Sequence, residues 1–221
     1  MKFAVGAEQQ CMKGFKAPPA VALFGLSWLL CAGGGFFYVF RHSNAPGVQA
    51  QVHAMWPTAS SIRSHAEKPM LLVFVHPHCP CSDASVGELE RLMPYVKDKF
   101  ETAVVFFKPK NRGMEWVKGS SWSQVERMRS RLPGVVAFID EGGVEAERFG
   151  AKTSGQVMLY SASGPLVFEG GITTGRGHRG DNYGRAAILA YAQTGKATVA
   201  KTAVYGCSLR NPERAVAEER Q

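Results

Sequence analysis

Apolar and polar positions follow one another in blocks that predict strands and helices in turn. A continuous apolar run over Pro69–Val75 predicts a buried strand, and Ser82–Lys99 repeats apolar residues every three or four positions, as a helix does. Seven further patterns follow in the order strand, helix, strand, helix, strand, strand, helix, over residues 102–107, 121–132, 135–139, 144–149, 156–160, 166–169 and 181–194. This order predicts an α/β fold with a mixed central sheet and helices on both faces.

A different pattern lies near the N-terminus, where Ala20–Phe40 contains no charged residue. Its 21 residues would form a helix about 31 Å long, which matches the hydrocarbon core of a bilayer. Lys13 and Lys16 precede it, so the positive-inside rule places the N-terminus in the cytoplasm. The length of the run and the lack of a small-x-small cleavage site favour a signal anchor over a cleaved signal peptide. A lipoprotein anchor at Cys31 is disfavoured because Leu30 stands where a small residue would be expected.

These patterns predict a single-pass protein of the bacterial inner (cytoplasmic) membrane, whose folded domain faces the periplasm or the cell exterior. The predicted organisation is a cytoplasmic segment, a transmembrane anchor, a linker, a folded domain, and a C-terminal strap and tail, over residues 1–19, 20–40, 41–68, 69–196 and 197–221.

The chain of 221 residues carries a formal net charge of +8. A nucleic-acid-binding surface would combine basic with aromatic residues or present a recognition helix. Here the arginines of 127–131 alternate along a helical pattern, and those of 176–185 lie in a glycine-rich stretch. This distribution predicts a solvated surface and no nucleic-acid partner, with attraction to anionic lipids or acidic partners as the functional alternative.

Five cysteines fall into two groups. Cys11 belongs to the predicted cytoplasmic segment and Cys31 to the apolar helix, and neither is a good redox candidate. Cys79, Cys81 and Cys207 belong to the predicted exported part. Three thiols allow one disulfide and one free thiol at a time, which favours exchange chemistry over a static framework.

Two of these cysteines lie in the heptapeptide His76-Pro77-His78-Cys79-Pro80-Cys81-Ser82, between the first predicted strand and the first predicted helix. The free backbone N–H groups and the dipole of a helix start stabilise a thiolate. The heptapeptide therefore predicts thiol chemistry at the strand–helix junction.

With these motifs, residues 69–194 resemble the membrane-anchored, thioredoxin-like thiol-disulfide oxidoreductases (TlpA/ResA-like). Val73-Phe74 and Leu89-Glu90-Arg91-Leu92 are in register with the family pattern around its active site. Phe149-Gly150-Ala151 and Ser161-Ala162-Ser163-Gly164 align with its downstream motifs. The His-Pro-x-Cys-Pro-Cys run, with Gly-Gly-Ile-Thr and Gly-His-x-Gly-Asp-Asn, also resembles a subgroup labelled RedB.

The resemblance implies a thioredoxin-like fold in which Cys79 takes the place of the attacking cysteine. Ser82 then stands where the resolving cysteine would be, and we expect its hydroxyl to donate to a Cys79 thiolate. Resolution would come from Cys81 or, if the C-terminal strap folds back over the helix start, from Cys207. His78 replaces the tryptophan that precedes the nucleophile. Gly155 occupies the place of the family's cis-proline, where its N–H would be free for a substrate chain.

The predicted function is thiol-disulfide exchange with a disulfide-containing protein or a small thiol, without a cofactor and with a membrane thiol donor or acceptor as a further partner. His178 lies in a charged, glycine-rich loop. This loop is predicted either to lie near the active site or to be a flexible loop in solvent. Two alternatives stay open. His76, His78, Cys79 and Cys81 together suit copper or zinc, as in a metal-delivery protein, and the domain could be a redox-inert interaction module.

Overall fold

The computed structural model describes residues 18–48, 51–63, 67–132 and 134–210. The chain divides into two compact units, Met1–Arg41 and His42–Gln221. The expectations for Cys11, for the segment 1–17 and for the tail 211–221 lie outside the described residues. Helix α1 (Pro19–Asn44) has no buried residue, and it is long and apolar enough to cross a membrane, by length and composition.

The second unit is built on a five-stranded mixed sheet with the strand order β3-β2-β1-β4-β5. Strands β1, β2 and β3 are parallel, whereas β4 is antiparallel to both β1 and β5. The strands are Met70–Val75, Glu101–Lys108, Val135–Glu141, Gln156–Tyr160 and Leu166–Gly170, numbered β1 to β5 in chain order. The helices that follow α1 are α2 (Pro80–Val96), α3 (Ser120–Arg129), α4 (Val144–Phe149) and α5 (Tyr183–Thr194). The predicted mixed sheet is confirmed.

Strand β1 is buried at every position because it lies in the middle of the sheet with both faces covered. Leu71, Val73 and Val75 belong to the core that also contains apolar residues of α2, α3 and α5. The alternate residues Leu72 and Phe74 belong to a second core, which includes residues of α4 and of the 52–62 segment. Helices on both faces therefore hold the end of β1 in a fixed position.

Helix α2 begins at Pro80, two residues before the predicted start, because proline fits the first helical position, where an N–H has no partner within the helix. Cys79 is the N-cap. A short 3-10 helix, Met114–Trp116, was not predicted, since three residues show no periodicity. Helix α5 begins at Tyr183, and the side chain of Asn182 caps it by accepting a 2.7 Å hydrogen bond from the N–H of Arg185.

Candidate active site

The site lies where β1 ends and α2 begins. The Cys79 backbone is extended, its N–H donates to the His76 carbonyl at 3.0 Å, and its own carbonyl accepts from the N–H of Ser82 at 2.9 Å. These bonds close a tight turn that places Cys79 at the N-terminus of α2 and Cys81 in its first turn. Cys79 and Cys81 thus lie at the strand–helix junction, where the sequence predicts them.

The C-terminal strap (residues 201–210) returns to this junction. Its Cys207 carbonyl accepts a 2.9 Å hydrogen bond from the N–H of Ser154, and the Leu209 N–H donates to the Lys152 carbonyl at 2.8 Å. Leu209 is buried in the second core. A Cβ atom at Gly206 would lie 2.0 Å from the Ser154 carbonyl oxygen, so the strap needs a glycine at this close approach. The strap is thus anchored on both sides of Cys207.

The strap brings a third sulfur to the two sulfurs of the heptapeptide. The Sγ atoms of Cys79, Cys81 and Cys207 all lie within 4.8 Å of one another. Cys79 and Cys81 are buried, whereas Cys207 is exposed. We call these three residues the thiol cluster; it has two inner sulfurs and one sulfur at the surface.

Within the thiol cluster, Cys79 is the sulfur best able to carry a negative charge. Burial disfavours its thiolate, but hydrogen bonds from the side chain and backbone N–H of Cys207 and from those of Cys81 outweigh the burial. The pKa of Cys79 is therefore lowered below the ordinary value of a thiol. It is the thiolate, not the thiol, that attacks a disulfide or leaves from one.

The other two sulfurs have shifts of the opposite sign. Burial, together with the charge on Cys79 and the hydrogen bond to it, raises the pKa of Cys81, and the same causes raise the pKa of Cys207 to about 12. The positive charge of Arg176 opposes both shifts, and the N–H of Gly177 donates to Cys81. Cys79 is therefore the sulfur of the cluster that ionises first, and the thiols of Cys81 and Cys207 donate to it.

The loop that carries Arg176 and Gly177 is fastened to α2 through Glu88. This carboxylate is fully buried and accepts from the Gly180 N–H at 3.0 Å and from the Arg185 guanidinium. The guanidinium of Arg179 also donates to the Asp83 carbonyl at 2.8 Å. Glu88 thus positions the loop against the thiol cluster.

Ser82 does not play the predicted role. Its buried hydroxyl donates to the His76 carbonyl at 2.8 Å and lies 2.8 Å from the Ser154 hydroxyl, which accepts from the His76 N–H at 2.8 Å. A hydroxyl has one hydrogen, and here the carbonyl takes it rather than the Cys79 sulfur. Ser82 and Ser154 instead hold His76, at the end of β1, and the Ser154 N–H also binds the strap at the Cys207 carbonyl.

The predicted role of Gly155 also needs correction. Its N–H donates to the Phe74 carbonyl at 2.7 Å and is therefore not free for a substrate chain. Its φ of +87° lies in the left-handed region that favours glycine, and an added Cβ would lie 2.5 Å from the Ser85 hydroxyl. The glycine serves a backbone bend beside the site.

The three candidate histidines do not join the thiol cluster. The His76 ring packs between Phe107 and Trp116, with centroid distances of 5.6 and 5.4 Å. His78 is exposed, with its ring 4.4 Å from that of Trp116 and its Nε2 atom 2.7 Å from the Trp116 carbonyl. The exposed His178 has its Nδ1 atom 2.7 Å from the Arg176 carbonyl, in the loop beside the site.

The predicted metal set of His76, His78, Cys79 and Cys81 is therefore wrong as a ligand group. Among the residues that the structure describes, the sulfur, imidazole and carboxylate ligands close enough to hold one ion are the three sulfurs of the thiol cluster. The two imidazoles instead make aromatic contacts with the Trp116 indole ring.

Sequence reasoning missed Ser154, Glu88 and Trp116 as residues that shape the site. Ser154 and Trp116 come close to the junction only through the fold, at separations of 72 residues from Ser82 and 38 residues from His78. No sequence pattern singles out Glu88, because its burial depends on donors from Gly180 and Arg185, which are more than 90 residues away along the chain.

Removal of the Cys207 donor is expected to change the ionisation of Cys79. In Cys207→Ala the side-chain hydrogen bond is lost and the backbone N–H remains, so the pKa of Cys79 should rise. The measurement is the rate at which iodoacetamide labels Cys79 as a function of pH, followed by mass spectrometry. Ser208→Ala, which changes the next residue of the strap, is the matched control; an unchanged midpoint in Cys207→Ala would contradict the donor role.

No protein-family model matches the chain, and neither does any curated protein. Among solved structures, an uncharacterized conserved protein from Geobacillus kaustophilus is 19% identical and matches over 76% of this chain and 93% of its own, with a TM-score of 0.52. A hypothetical protein from Sinorhizobium meliloti 1021 is 17% identical over 76% of this chain and 96% of its own, also with a TM-score of 0.52. A secreted disulfide oxidoreductase of Mycobacterium tuberculosis is 17% identical over 47% of this chain and 68% of its own, with a TM-score of 0.36.

These likenesses concern the fold. The parallel unit β1-α2-β2, the antiparallel hairpin β4-β5 and the final helix α5 form the thioredoxin-like arrangement, and α3, β3 and α4 lie between the unit and the hairpin along the chain. The fold class that the sequence predicts is confirmed. Thioredoxin-like thiol:disulfide oxidoreductases are among the solved structures that match. The RedB resemblance stays a prediction.

Proposed function

We propose that this protein is a membrane-tethered thiol-disulfide oxidoreductase that works outside the cytoplasm through the pair Cys79 and Cys207. The observation that carries the proposal is the thiol cluster, in which the strap brings Cys207 within 4.8 Å of Cys79 and its side chain donates to the Cys79 sulfur. A disulfide requires the two sulfurs to approach from within 4.8 Å to about 2 Å.

Exposure assigns different roles to the two sulfurs. In the oxidised protein the surface sulfur, Cys207, is the one that an external thiolate reaches, whereas Cys79 is buried. Attack of a partner thiolate on the Cys207 sulfur forms a bond between partner and Cys207, breaks the Cys79–Cys207 bond, and leaves the electron pair on Cys79. Exchange is faster when the leaving thiol has a low pKa, and Cys79 has the lowered pKa of the cluster.

The second step completes the exchange. The partner's second thiolate attacks the partner sulfur that is bonded to Cys207. The partner leaves with an internal disulfide, and Cys207 takes the electron pair and a proton. In this direction the partner loses two electrons and the Cys79–Cys207 pair gains them. In the reverse direction, the Cys207 thiolate attacks one sulfur of the partner disulfide, which forms the mixed disulfide and leaves the electron pair on the partner's second sulfur. The Cys79 thiolate then attacks the Cys207 sulfur, which forms the Cys79–Cys207 bond and releases the partner with both thiols reduced.

Cys81 has a supporting role in this proposal. Its side chain and N–H donate to Cys79, so it stabilises the thiolate that leaves. A bond between Cys79 and Cys81 would close a small ring across one intervening residue, Pro80, and would be readily reduced. The pair Cys79–Cys207 is therefore the one that we assign to exchange, and Cys81 is the third thiol.

The partner class follows from the same chemistry. The partner is a protein dithiol or disulfide, or a small thiol, since the exposed sulfur lies on a surface strap rather than in a deep pocket. Helix α1 holds the domain at the inner membrane, facing the periplasm or the cell exterior, where disulfides persist. A membrane thiol donor or acceptor restores the pair after each exchange.

Disulfide mapping tests the proposal. The purified full-length protein is oxidised with a redox buffer, alkylated and mapped by mass spectrometry, before and after reduction. We expect one bond, between Cys79 and Cys207, with Cys81 alkylated, and the same bond in Cys81→Ser. Free thiols at Cys79, Cys81 and Cys207 under oxidising conditions would count against the assignment. So would a Cys79–Cys81 bond that forms in Cys207→Ser with the same yield as in the parent protein.

A further inference from the structure

We propose that the reduced protein binds one soft, thiophilic cation of the Cu(I) type between the three sulfurs of the thiol cluster, Cys79, Cys81 and Cys207. This goes beyond disulfide exchange and rests on the arrangement of the sulfurs alone. It also differs from the ligand set expected from the sequence, because it replaces two imidazoles with a sulfur that is 126 residues away from Cys81 along the chain.

The distances suit one ion. Bonds from thiolate sulfur to such metals are about 2.3 Å long, so three sulfurs in a plane around one ion lie about 4.0 Å apart. The sulfurs of the cluster already lie within 4.8 Å of one another, and a contraction of about 0.8 Å at most completes the triangle. Residues from three parts of the chain converge here: the N-cap of α2, its first turn, and the strap.

Outer-shell groups complete the site. The backbone N–H groups of Cys81 and Cys207 point at the Cys79 sulfur, and the N–H of Gly177 points at the Cys81 sulfur. Hydrogen bonds of this kind orient thiolate ligands and offset their charge. Binding of the cation releases the thiol protons of Cys81 and Cys207 to solvent. The three thiolates around a monovalent cation then carry a net charge of −2, and Arg176 places a positive charge near two of them. The site is therefore built for an anionic metal–thiolate group.

The ligand set selects the class of cation. Thiolates favour soft cations such as Cu(I) and Zn(II), and structural Zn(II) sites are almost always four-coordinate. In the part of the chain that the structure describes, the candidate group offers three ligands, and the nearby imidazoles pack on Trp116 instead. Three sulfurs without a fourth protein ligand fit Cu(I), which accepts a trigonal site.

The test uses the full-length chain in detergent, in a Cys11→Ser, Cys31→Ser background that leaves only the thiol cluster. Cu(I) is titrated anaerobically into the reduced protein against a chromogenic chelator, and X-ray absorption gives the ligand set. We expect one Cu(I) per chain with three sulfur neighbours. Loss of an outer-shell partner typically weakens binding about 10–100-fold, so Cys207→Ser, which removes a ligand, should exceed that.

The matched control is the double variant His76→Ala, His78→Ala, which removes the ligands expected from sequence and leaves the three sulfurs. It should bind Cu(I) with the affinity of the parent, because all three sulfur ligands remain. Zn(II) added first should be displaced by one equivalent of Cu(I). Circular dichroism establishes that each variant is folded before its affinity is interpreted.

The outcomes separate this proposal from disulfide exchange. Unchanged affinity in Cys207→Ser, loss in the histidine variant, fewer than three sulfur neighbours, or Zn(II) retained against Cu(I) would each overturn the metal site. Exchange is measured separately, on the metal-free protein with a chelator present. A protein that exchanges disulfides but binds no Cu(I) overturns the metal site alone, and one that binds Cu(I) but exchanges nothing overturns the proposed function alone.

Discussion

Cys79→Ser and Cys207→Ser should each reduce disulfide exchange to the rate measured without protein, whereas Cys81→Ser should retain most of it. Each of the first two variants lacks one sulfur of the exchanging pair, so the Cys79–Cys207 disulfide cannot form. Cys81→Ser keeps the pair, and the serine hydroxyl can take the place of the thiol as a donor to Cys79. The measurement is turnover of a dithiol peptide by the oxidised, metal-free protein.

The two inactive variants should differ in what they trap. The trapping is done with Cys81 also changed to serine, because its sulfur lies within 4.8 Å of the other two and could resolve a mixed disulfide. In Cys79→Ser the exposed Cys207 is then the one thiol of the cluster, so incubation with a small disulfide should give a stable mixed disulfide at Cys207. In Cys207→Ser the one thiol left in the cluster, Cys79, is 4% exposed, and trapping should be slower. Equal trapping at Cys79 and Cys207 would contradict the assignment of Cys207 as the entry sulfur. Full turnover in Cys207→Ser would contradict the pair itself.

The order of strands and helices could be predicted because periodicity is a local property of the chain. Each strand and helix of the folded unit lies within two or three residues of its predicted bounds, from β1 at Met70–Val75 to α5 at Tyr183–Thr194. The boundary of α2 moved because Pro80 starts the helix and Cys79 caps it, which is a matter of single residues rather than of periodicity.

The site could be predicted only where its residues are adjacent in sequence. The heptapeptide identified Cys79 and Cys81, since both lie at one strand–helix junction. Whether Cys207 joins them depends on hydrogen bonds from the strap to Lys152 and Ser154, and those are contacts between distant segments. The Ser82 role failed for a related reason: the His76 carbonyl competes for the one hydroxyl hydrogen, and the geometry of the turn decides which acceptor receives it.

Glu88→Ala should lower the free energy of unfolding by about 3 kcal/mol, because it leaves the half-buried Arg185 guanidinium and the Gly180 N–H without their buried acceptor. The Glu88 carboxylate is fully buried and accepts from Arg91 at 2.9 Å and from the Gly180 N–H at 3.0 Å, besides the guanidinium of Arg185. Arg185 keeps one partner, Asp181, at 2.6 Å, so its charge is not wholly uncompensated. Urea denaturation of the full-length protein, followed by circular dichroism, gives the difference.

A matched control is available on α3. Glu126 also pairs with an arginine three residues on, Arg129, at 2.6 Å, but both side chains are 42% exposed. Exposed pairs contribute at most about 1 kcal/mol, so Glu126→Ala should change stability by that amount or less. A loss of similar size in the two variants would contradict the role given to Glu88.

A second readout of Glu88→Ala separates positioning from plain stability. The loop held by Glu88 carries the Gly177 N–H and the Arg176 charge, both of which favour the thiolate of Cys81. Loosening that loop should raise the pKa of Cys81 further, and the pH dependence of Cys81 alkylation under conditions where the variant stays folded measures it. Because Cys79 receives its donors from Cys81 and Cys207 instead, its alkylation profile should stay nearly unchanged. A shift in Cys79 alone would mean that the loop acts on the cluster by another route.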